Sequence, residues 1–157
     1  MSTEQNTALV RKEIETLNGH DAARIEAFMD ANIAADWQYH SPLPGAEPGP
    51  AGCKALLAPL LAAFPDGRYT IEDLLAAEDR VMIRWSWTGT HRGEFMGAAP
   101  TGKQIATSGI AVTRIAGGKY AETWEEWDLF GFVQQLGATV ATPEAATAEW
   151  LQSAPAR

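Results

Sequence analysis

The sequence predicts an α+β fold, with helices packed on one face of a curved, mostly antiparallel sheet. Apolar residues recur at helical spacing as far as Phe64, and from Tyr69 onward the pattern changes to the alternation typical of strands. The strand-like segments follow one another directly, and the last two are joined by Gly117 and Gly118, a pair typical of hairpin turns. Because helices and antiparallel strands occupy separate parts of the chain, the order favours α+β over alternating α/β architecture.

Three helices are predicted before the long strands, and each begins at a recognisable signal. Ser2 and Gln5 have the spacing of a capping box. Asp21 is a favourable N-cap, and Pro50 suits the first position of a helix. Pro59 lies inside the third helix and is expected to bend it. The predicted helices span residues 7–17, 22–33 and 50–64, the third following a loop rich in proline and glycine.

A short strand-like segment, residues 36–40, lies between the second and third helices, and four longer strands follow. The second of these carries Val81, Ile83 and Trp85 in alternation, which is the periodicity of a strand that faces a core. The four longer strands span residues 69–80, 81–91, 103–115 and 119–128, and a last short helix spans residues 129–136.

Length and composition predict one domain, residues 1–137, followed by an Ala/Pro-rich tail, residues 138–157. The net charge of -8 disfavours nucleic acid and membrane surfaces as partners, and favours a neutral or cationic small molecule or another protein. The single cysteine, Cys53, excludes an internal disulfide. The N-terminus has charges where a signal peptide would be apolar, and the longest nearly apolar run is about half the roughly 20 residues of a membrane helix. We therefore expect a cytoplasmic protein.

No cofactor or metal site is predicted. The segment from Gly97 has the glycine and lysine spacing of a phosphate loop, but Gln104 stands where a Ser or Thr would bind magnesium. His20, His40 and His91 lie far apart, without the spacing of zinc ligands. Any activity is therefore expected to need neither a metal nor a nucleotide.

The segment WEEWD, residues 124–128, carries the candidate catalytic carboxylates. Strand alternation puts Trp124, Glu126 and Asp128 on one face. Glu125 and Trp127 lie on the other face. A carboxyl that is close to indole surface or to a like charge acquires a raised pKa, which suits a general base. The alternation alone leaves open whether Glu125 or Glu126 faces a pocket.

Four short motifs occur together: Phe-Pro-Asp at 64–66, Gly-Thr-His at 89–91, Pro-Thr-Gly at 100–102 and Gln-Leu-Gly at 135–137. With the segments around them, from about residue 7 to Gly137, they resemble the SnoaL-like polyketide cyclase, or ester cyclase, family. The resemblance implies the cone-shaped α+β fold of the nuclear transport factor 2 and ketosteroid isomerase superfamily. In that fold three N-terminal helices and a curved sheet enclose a hydrophobic pocket, commonly in a homodimer. The resemblance also implies aldol ring closure without metal or cofactor.

The same resemblance implies the site residues. It puts Glu125 at the acid–base position, Asp128 at a second aspartate and His40 at a polar pocket position. The strand histidine of the family is replaced here by Ala111, which removes a group that would orient or tune the carboxylate. We therefore predict Glu125, Asp128 and His40 as catalytic residues. The predicted substrate-binding residues are Trp37, Tyr39, Trp85, His91, Met96 and Trp124, and no metal ligand is predicted.

The predicted function is proton transfer on a small hydrophobic carbonyl or polyketide-like compound, as in cyclases, isomerases and dehydratases. Two alternatives stay open. One is a non-catalytic module of the same fold that binds a small ligand or dimerises. The other is an epoxide-hydrolase-like enzyme, although the Asp-Arg-Asp network of such enzymes is not recognisable in the sequence. A buried carboxylate in a deep cavity would favour an enzyme, and a filled cavity would favour a module.

Overall fold

The computed structural model describes residues 2–43 and 46–137, so the tail predicted for residues 138–157 lies outside the described residues. None of the described helices is long and apolar enough to cross a membrane. The elements in chain order are α1 (Thr3–Asn18), α2 (Ala22–Asn32), β1 (Ile33–His40), α3 (Gly49–Ala63), β2 (Arg68–Ala77), β3 (Arg80–Thr90), β4 (Gln104–Ala116), β5 (Lys119–Trp127) and α4 (Leu129–Leu136).

Within the described residues, five strands form one open sheet in the order β1-β5-β4-β3-β2. β1 pairs in parallel with β5, and the other neighbouring strands pair antiparallel. Gly117 and Gly118 join β4 to β5 with φ angles of 57° and 81°, as a two-residue hairpin turn requires. With helices packed on the curved sheet, this arrangement confirms the predicted α+β cone.

The helices begin at the predicted signals. The Ser2 hydroxyl accepts a hydrogen bond from the Gln5 backbone N–H, and the Gln5 side chain accepts one from the Ser2 backbone N–H at 2.9 Å. Asp21 caps α2 by accepting from the Arg24 N–H at 3.1 Å. Pro50 lies in the first turn of α3. These local signals fix where α1, α2 and α3 start, and α1 then packs on β2 and β3.

The end of α2 differs from the prediction, because Ile33 begins β1 instead of ending the helix. Ile33 has extended backbone angles, φ -94° and ψ 133°, and it pairs with Tyr120 of β5. β1 is therefore three residues longer than the predicted segment 36–40. Ile33 is buried and lies four residues after Met29, so helical spacing alone could not separate it from the apolar stripe of α2.

The core lies between the helices and the inner face of the sheet. Val81, Ile83, Trp85 and Trp87 of β3 are all buried there, as their alternation predicts. Phe64, at the end of α3, packs edge-to-face on the Trp87 indole at a ring-centroid distance of 5.1 Å. This aromatic packing leaves unfilled space farther along the same face, where the candidate site lies.

Candidate active site

Two adjoining chambers lie between the helices and the sheet, and a set of shared residues lines both of them. The inner chamber, about 130 Å³, lies between α1, α3 and the inner face of the sheet. The outer chamber, about 120 Å³, extends toward α4 and residues 91–103. The shared wall consists of the residues that line both chambers: Tyr39, Leu56, Leu57, Tyr69, Trp85 and Glu125. Glu125 therefore borders both chambers.

Glu125 is the carboxylate of the WEEWD segment that faces inward. Its neighbours on β5, Trp124 and Glu126, are exposed on the opposite face of the sheet. The Tyr39 hydroxyl on the adjacent strand β1 donates a hydrogen bond to Glu125 Oε2. Burial raises the pKa of the Glu125 carboxyl, while the Tyr39 hydroxyl and the nearby Trp85 indole lower it by favouring the charged form. Glu125 is therefore a half-buried carboxyl that faces the chambers, with a donor already in place.

Gly109 allows the Trp85 indole to lie in the shared wall. The two residues pair across β3 and β4, and a Cβ at position 109 would lie 2.6 Å from the indole ring and 2.7 Å from the Glu126 carbonyl oxygen. A larger residue at 109 would displace the indole. The buried Trp85 Nε1–H has no well-formed hydrogen bond among the described residues, yet it is close enough to Glu125 to favour the charged carboxylate. The Trp85 N–H therefore favours the charged carboxylate although its geometry falls short of a hydrogen bond.

Glu13 of α1 is a second carboxyl in the inner chamber, and it was not predicted from the sequence. The Tyr120 hydroxyl donates a hydrogen bond to Glu13 Oε2 at 2.6 Å. Burial raises the pKa of Glu13 to about 7, the Tyr120 hydroxyl acts against this shift and the charge of Glu125 adds to it. Both carboxyl side chains keep some accessible surface because they line the chamber. No Lys, Arg or His of the described chain lines this chamber, so the two carboxyls have no cationic partner in it.

The sequence does contain a signal for Glu13. Val10, Ile14 and Leu17 mark the buried stripe of α1, and Glu13 lies three residues after Val10 and four before Leu17. An ionised side chain is costly to bury, so a carboxylate within the apolar stripe of a helix requires either a partner or a functional role.

Trp37 and Tyr39, which were predicted to bind substrate, line the inner chamber. Their rings stack at a centroid distance of 5.4 Å on the inward face of β1. Trp37 Nε1 donates to Thr123 Oγ1 at 3.2 Å, and the Thr123 and Thr113 hydroxyls lie 3.3 Å apart. Burial and the charge of Glu125 raise the pKa of Tyr39, so its hydroxyl keeps its proton and donates.

Ala111 of β4 lies directly opposite Glu125 and lines the inner chamber. This is the position at which the family resemblance implies a histidine. Residues opposite each other on antiparallel strands have Cβ atoms about 5 Å apart, so a histidine here would reach Glu125. The alanine leaves that volume to the chamber, and Tyr39 on the other neighbouring strand supplies the hydrogen bond.

Asp128, predicted as catalytic, caps α4 and lines neither chamber. Its Oδ1 accepts from the Gly131 N–H at 2.8 Å, and any side chain at Gly131 would collide with the carboxylate. β5 ends at Trp127, so strand alternation no longer orients residue 128. We therefore leave Asp128 out of the proposed catalytic group.

His40 and Trp124 lie on the outer face of the sheet and line neither chamber. Their rings stack at a centroid distance of 5.4 Å, and His40 Nε2 lies 3.0 Å from Glu122 Oε1. Because strand side chains alternate, the inward position of Tyr39 requires that His40 point outward. The geometry therefore gives no support to the catalytic role predicted for His40 or to the binding role predicted for Trp124.

His91 and Met96 also lie outside the chambers. His91 is buried and stacks on Phe64 at a centroid distance of 5.2 Å, and its Nδ1 accepts from the Thr101 N–H at 3.3 Å. It thus holds the two ends of segment 91–103 together. Met96 is 53% exposed in a tight turn with φ 51°, whereas its neighbour Phe95 lines the outer chamber. The binding roles predicted for His91 and Met96 therefore have no geometric support.

The arrangement around the shared wall suits proton transfer in an apolar cavity. A carboxyl that is desolvated and held by a fixed donor has the raised pKa and defined orientation that a general base needs. No arginine lines either chamber within the described residues, so no Asp-Arg-Asp network is assembled there. In the part of the chain that the structure describes, no group of three or more His, Cys, Asp or Glu side chains is arranged to hold a metal ion.

Comparison with known proteins identifies the family. Residues 7–136 match the SnoaL-like polyketide cyclases, whereas no curated protein is significantly similar to the chain. AclR, a candidate hydroxylase from Streptomyces galilaeus, is 27% identical with a TM-score of 0.76 over 96% of this chain and 92% of AclR. A candidate polyketide cyclase from Acidithiobacillus ferrooxidans is 30% identical with a TM-score of 0.73, over 87% of this chain and 98% of that protein. IdmH, a candidate polyketide cyclase from Streptomyces antibioticus, is 27% identical with a TM-score of 0.70, over 85% of this chain and 99% of IdmH. Because the family match spans most of the sequence, the chain belongs to the SnoaL-like polyketide cyclase family.

Proposed function

We propose that this protein is a cofactor-free enzyme that transfers protons on a small hydrophobic carbonyl or polyketide-like compound, as cyclases and isomerases do. The observation that carries the proposal is the position of Glu125, a half-buried carboxyl in the wall shared by two largely apolar chambers. Burial raises its pKa toward the range of an effective general base. The membership of the SnoaL-like polyketide cyclase family supports the same class of reaction.

The residues of the shared wall have distinct roles in this reaction. Glu125 removes a proton from a carbon next to the carbonyl group of the bound compound. The Tyr39 hydroxyl holds the carboxylate in position by its hydrogen bond and keeps its own proton. The indoles of Trp37 and Trp85 provide apolar walls that favour a hydrophobic ligand over water.

Ligand binding to the inner chamber tests this proposal. Trp37 and Trp85 line the chamber, so a carbonyl compound that enters it is expected to change the tryptophan fluorescence in a saturable way. Ala111→Leu fills part of the chamber and should weaken binding, whereas Val112→Leu, on the opposite face of the same strand, should not. Circular dichroism would show that both variants fold. If carbonyl and polyketide-like compounds bind Ala111→Leu as well as the wild type, the chamber is not the binding site.

A non-catalytic ligand-binding module is the second candidate, and Ala111 favours it. An alanine opposite Glu125 leaves the carboxylate without the imidazole that the family resemblance implies there. Such a module would bind a hydrophobic ligand in the chamber without converting it. Product analysis of a bound carbonyl compound separates the two, because only an enzyme changes the compound or exchanges its acidic protons.

We also propose a homodimer that forms through the outer face of the sheet. Strand pairing places Leu75, Met82, Val112 and Trp124 in one row across β2, β3, β4 and β5. Leu75 is 65% exposed and Trp124 is 36% exposed. A row of exposed and half-buried apolar side chains on a sheet face is typical of a surface that another subunit covers.

A further inference from the structure

We propose that Glu13 is the second acid–base residue of this site: Glu13 and Glu125 hold one proton between them and act on a carbonyl compound whose reacting part is no larger than one six-membered ring. This inference rests on the proposed function and extends it from one carboxyl to two. It also names the class of compound that the inner chamber takes.

In the part of the chain that the structure describes, the inner chamber contains two carboxyl groups and no cationic partner for them. Glu13 enters from α1 and Glu125 from β5, and both line the same cavity of about 130 Å³. Within the described residues no cationic side chain lines this cavity. Two ionised carboxylates in a small, poorly solvated space repel each other, so one of them keeps a proton. The other titratable groups that line the cavity all have raised pKa values and are neutral at pH 7: Tyr39 of β1, Cys53 of α3, Tyr69 of β2 and Tyr120 of β5.

The hydrogen-bond donors decide which carboxyl keeps the proton. Glu125 receives the Tyr39 hydroxyl and lies close to the Trp85 indole, and both favour its charged form. Glu13 receives the Tyr120 hydroxyl on Oε2, and its Oε1 has no hydrogen-bond partner among the described residues. Glu125 is therefore the carboxylate, and Glu13 is the carboxylic acid with one oxygen free to serve a ligand.

The volume of the inner chamber limits the compound. An apolar cavity of about 150 Å³ holds a benzene molecule. The inner chamber, at about 130 Å³, is of comparable size, so it has room for about one ring or an open-chain segment of similar size. Larger apolar substituents would extend into the adjoining outer chamber, against Phe95, Trp127 and Phe132. The reacting carbonyl group thus belongs to a single ring or ring-sized segment, with its oxygen toward Glu13.

The reaction step balances without any other reactant. The Glu125 carboxylate binds the proton that leaves the carbon next to the carbonyl group, and the electrons of that C–H bond form the enol double bond. The carbonyl oxygen takes the proton of the Glu13 carboxyl, whose O–H bond breaks. Glu125 is then the acid and Glu13 the carboxylate. In a β,γ-unsaturated carbonyl compound this enol is a conjugated dienol. Glu125 then gives its proton to the γ-carbon, the enol O–H returns its proton to Glu13, and the C=C bond moves into conjugation with the carbonyl group. The compound is isomerised and both residues are restored.

Titration of the two carboxyl groups tests whether they share a proton. Protein that contains ¹³C-labelled glutamate is followed by NMR between about pH 4 and 9, a range that spans the ordinary and the shifted carboxyl pKa values. In Glu125→Gln the pKa of Glu13 should fall, because the like charge is gone, and in Tyr120→Phe it should rise, because the carboxylate loses a donor. Glu15→Gln, at an exposed position of α1, is the matched control and should shift neither. A Glu13 pKa that is ordinary and insensitive to Glu125→Gln overturns the inference.

Proton exchange on a small ketone separates this inference from the proposed function. Cyclohexanone is incubated with the protein in D₂O, and loss of the protons next to its carbonyl group is followed by NMR. Glu13→Gln and Glu125→Gln should each slow the exchange by about a hundredfold or more, whereas Glu15→Gln should not. If Glu125→Gln slows the exchange and Glu13→Gln does not, Glu13 is not the acid and the proposed function stands. If the wild-type protein does not accelerate exchange, the proposed function fails and this inference fails with it.

Discussion

The Tyr39 hydroxyl donates a hydrogen bond to the Glu125 carboxylate at the wall between the inner and outer chambers. The two residues lie 86 positions apart in the sequence and are brought together by the parallel pairing of β1 with β5. The orientation of the proposed base is therefore set by long-range strand packing. Any change to this hydrogen bond should affect the chemistry more than the fold.

Removal of the Tyr39 hydroxyl is expected to shift the pH dependence of turnover. In Tyr39→Phe the Glu125 carboxylate loses a donor that lowers its pKa, so its pKa should rise further. A base with a raised pKa is protonated over a wider range, and the acidic limb of the pH–rate profile should move to higher pH. Tyr69→Phe is the matched control, because Tyr69 lines the same wall without a hydrogen bond to Glu125. An unmoved profile in Tyr39→Phe would contradict the role of this contact.

Glu13 should make the protein less stable as the pH rises. Its pKa is raised from 4.5 to about 7 in the folded chain, so the folded state holds a proton that the unfolded state releases between these two values. The free energy of unfolding should therefore fall as the pH rises through this window, by up to about 3 kcal/mol in total. Denaturant unfolding at several pH values, with Glu13→Gln for comparison, measures the effect. The free energy of unfolding of Glu13→Gln should fall less steeply with pH than that of the wild type. Equal dependence on pH in the two proteins would show that Glu13 has an ordinary pKa.

Asp128 should contribute to stability and not to turnover. Asp128→Ala removes the N-cap of α4 and is expected to cost about 1 kcal/mol of unfolding free energy. Asp128→Asn should cost much less, because asparagine is an equally good N-cap. Thermal unfolding and turnover are measured on both variants. A folded Asp128→Asn protein that has lost most of its turnover would return Asp128 to the catalytic group.

The helices and most strands could be predicted from the sequence, because their signals are local. The capping box at Ser2 and the turn at Gly117 each depend on residues a few positions apart, and both occur in the structure. The start of β1 at Ile33 could not be predicted, because it depends on pairing with Tyr120. A helical and an extended Ile33 are equally consistent with a buried apolar residue at that position.

The site was predicted less completely, because it depends on contacts between residues that are far apart in the sequence. Alternation separated Glu125 from Glu126, and the structure places Glu125 on the inward face. The outward direction of the His40 side chain could not be predicted, because the sequence does not show which residues of β1 face inward. Only the positions of its neighbours in the folded sheet reveal this. Glu13 could not be assigned to the site, because the sequence does not show that the apolar stripe of α1 faces the same chamber as β5. Asp128 lies one residue beyond the strand, where a helix cap replaces strand alternation.

The oligomeric state tests the role assigned to the outer face of the sheet. Light scattering at micromolar concentration should give twice the chain mass of 16.9 kDa. Val112→Glu puts a charge in the middle of the apolar row and should shift the protein toward the monomer, since burial of an unpaired charge is costly. Ala8→Glu, at an exposed position of α1, is a control that should leave the mass unchanged. A wild-type protein that is monomeric at every concentration would contradict the dimer.

A comparison of Glu125→Gln with Glu126→Gln tests directly whether Glu125 is the general base. The two residues are adjacent on β5 and chemically identical, but Glu125 faces the chambers and Glu126 faces outward. Exchange of the protons next to the carbonyl group of one ketone, measured in D₂O with both variants and the wild type, should be slowed about 10² to 10⁴-fold by Glu125→Gln. Glu126→Gln should leave the rate within about twofold of the wild type, as expected for an exposed side chain. Equal rates in all three proteins, or a loss in Glu126→Gln alone, would contradict the assignment of Glu125 as the general base.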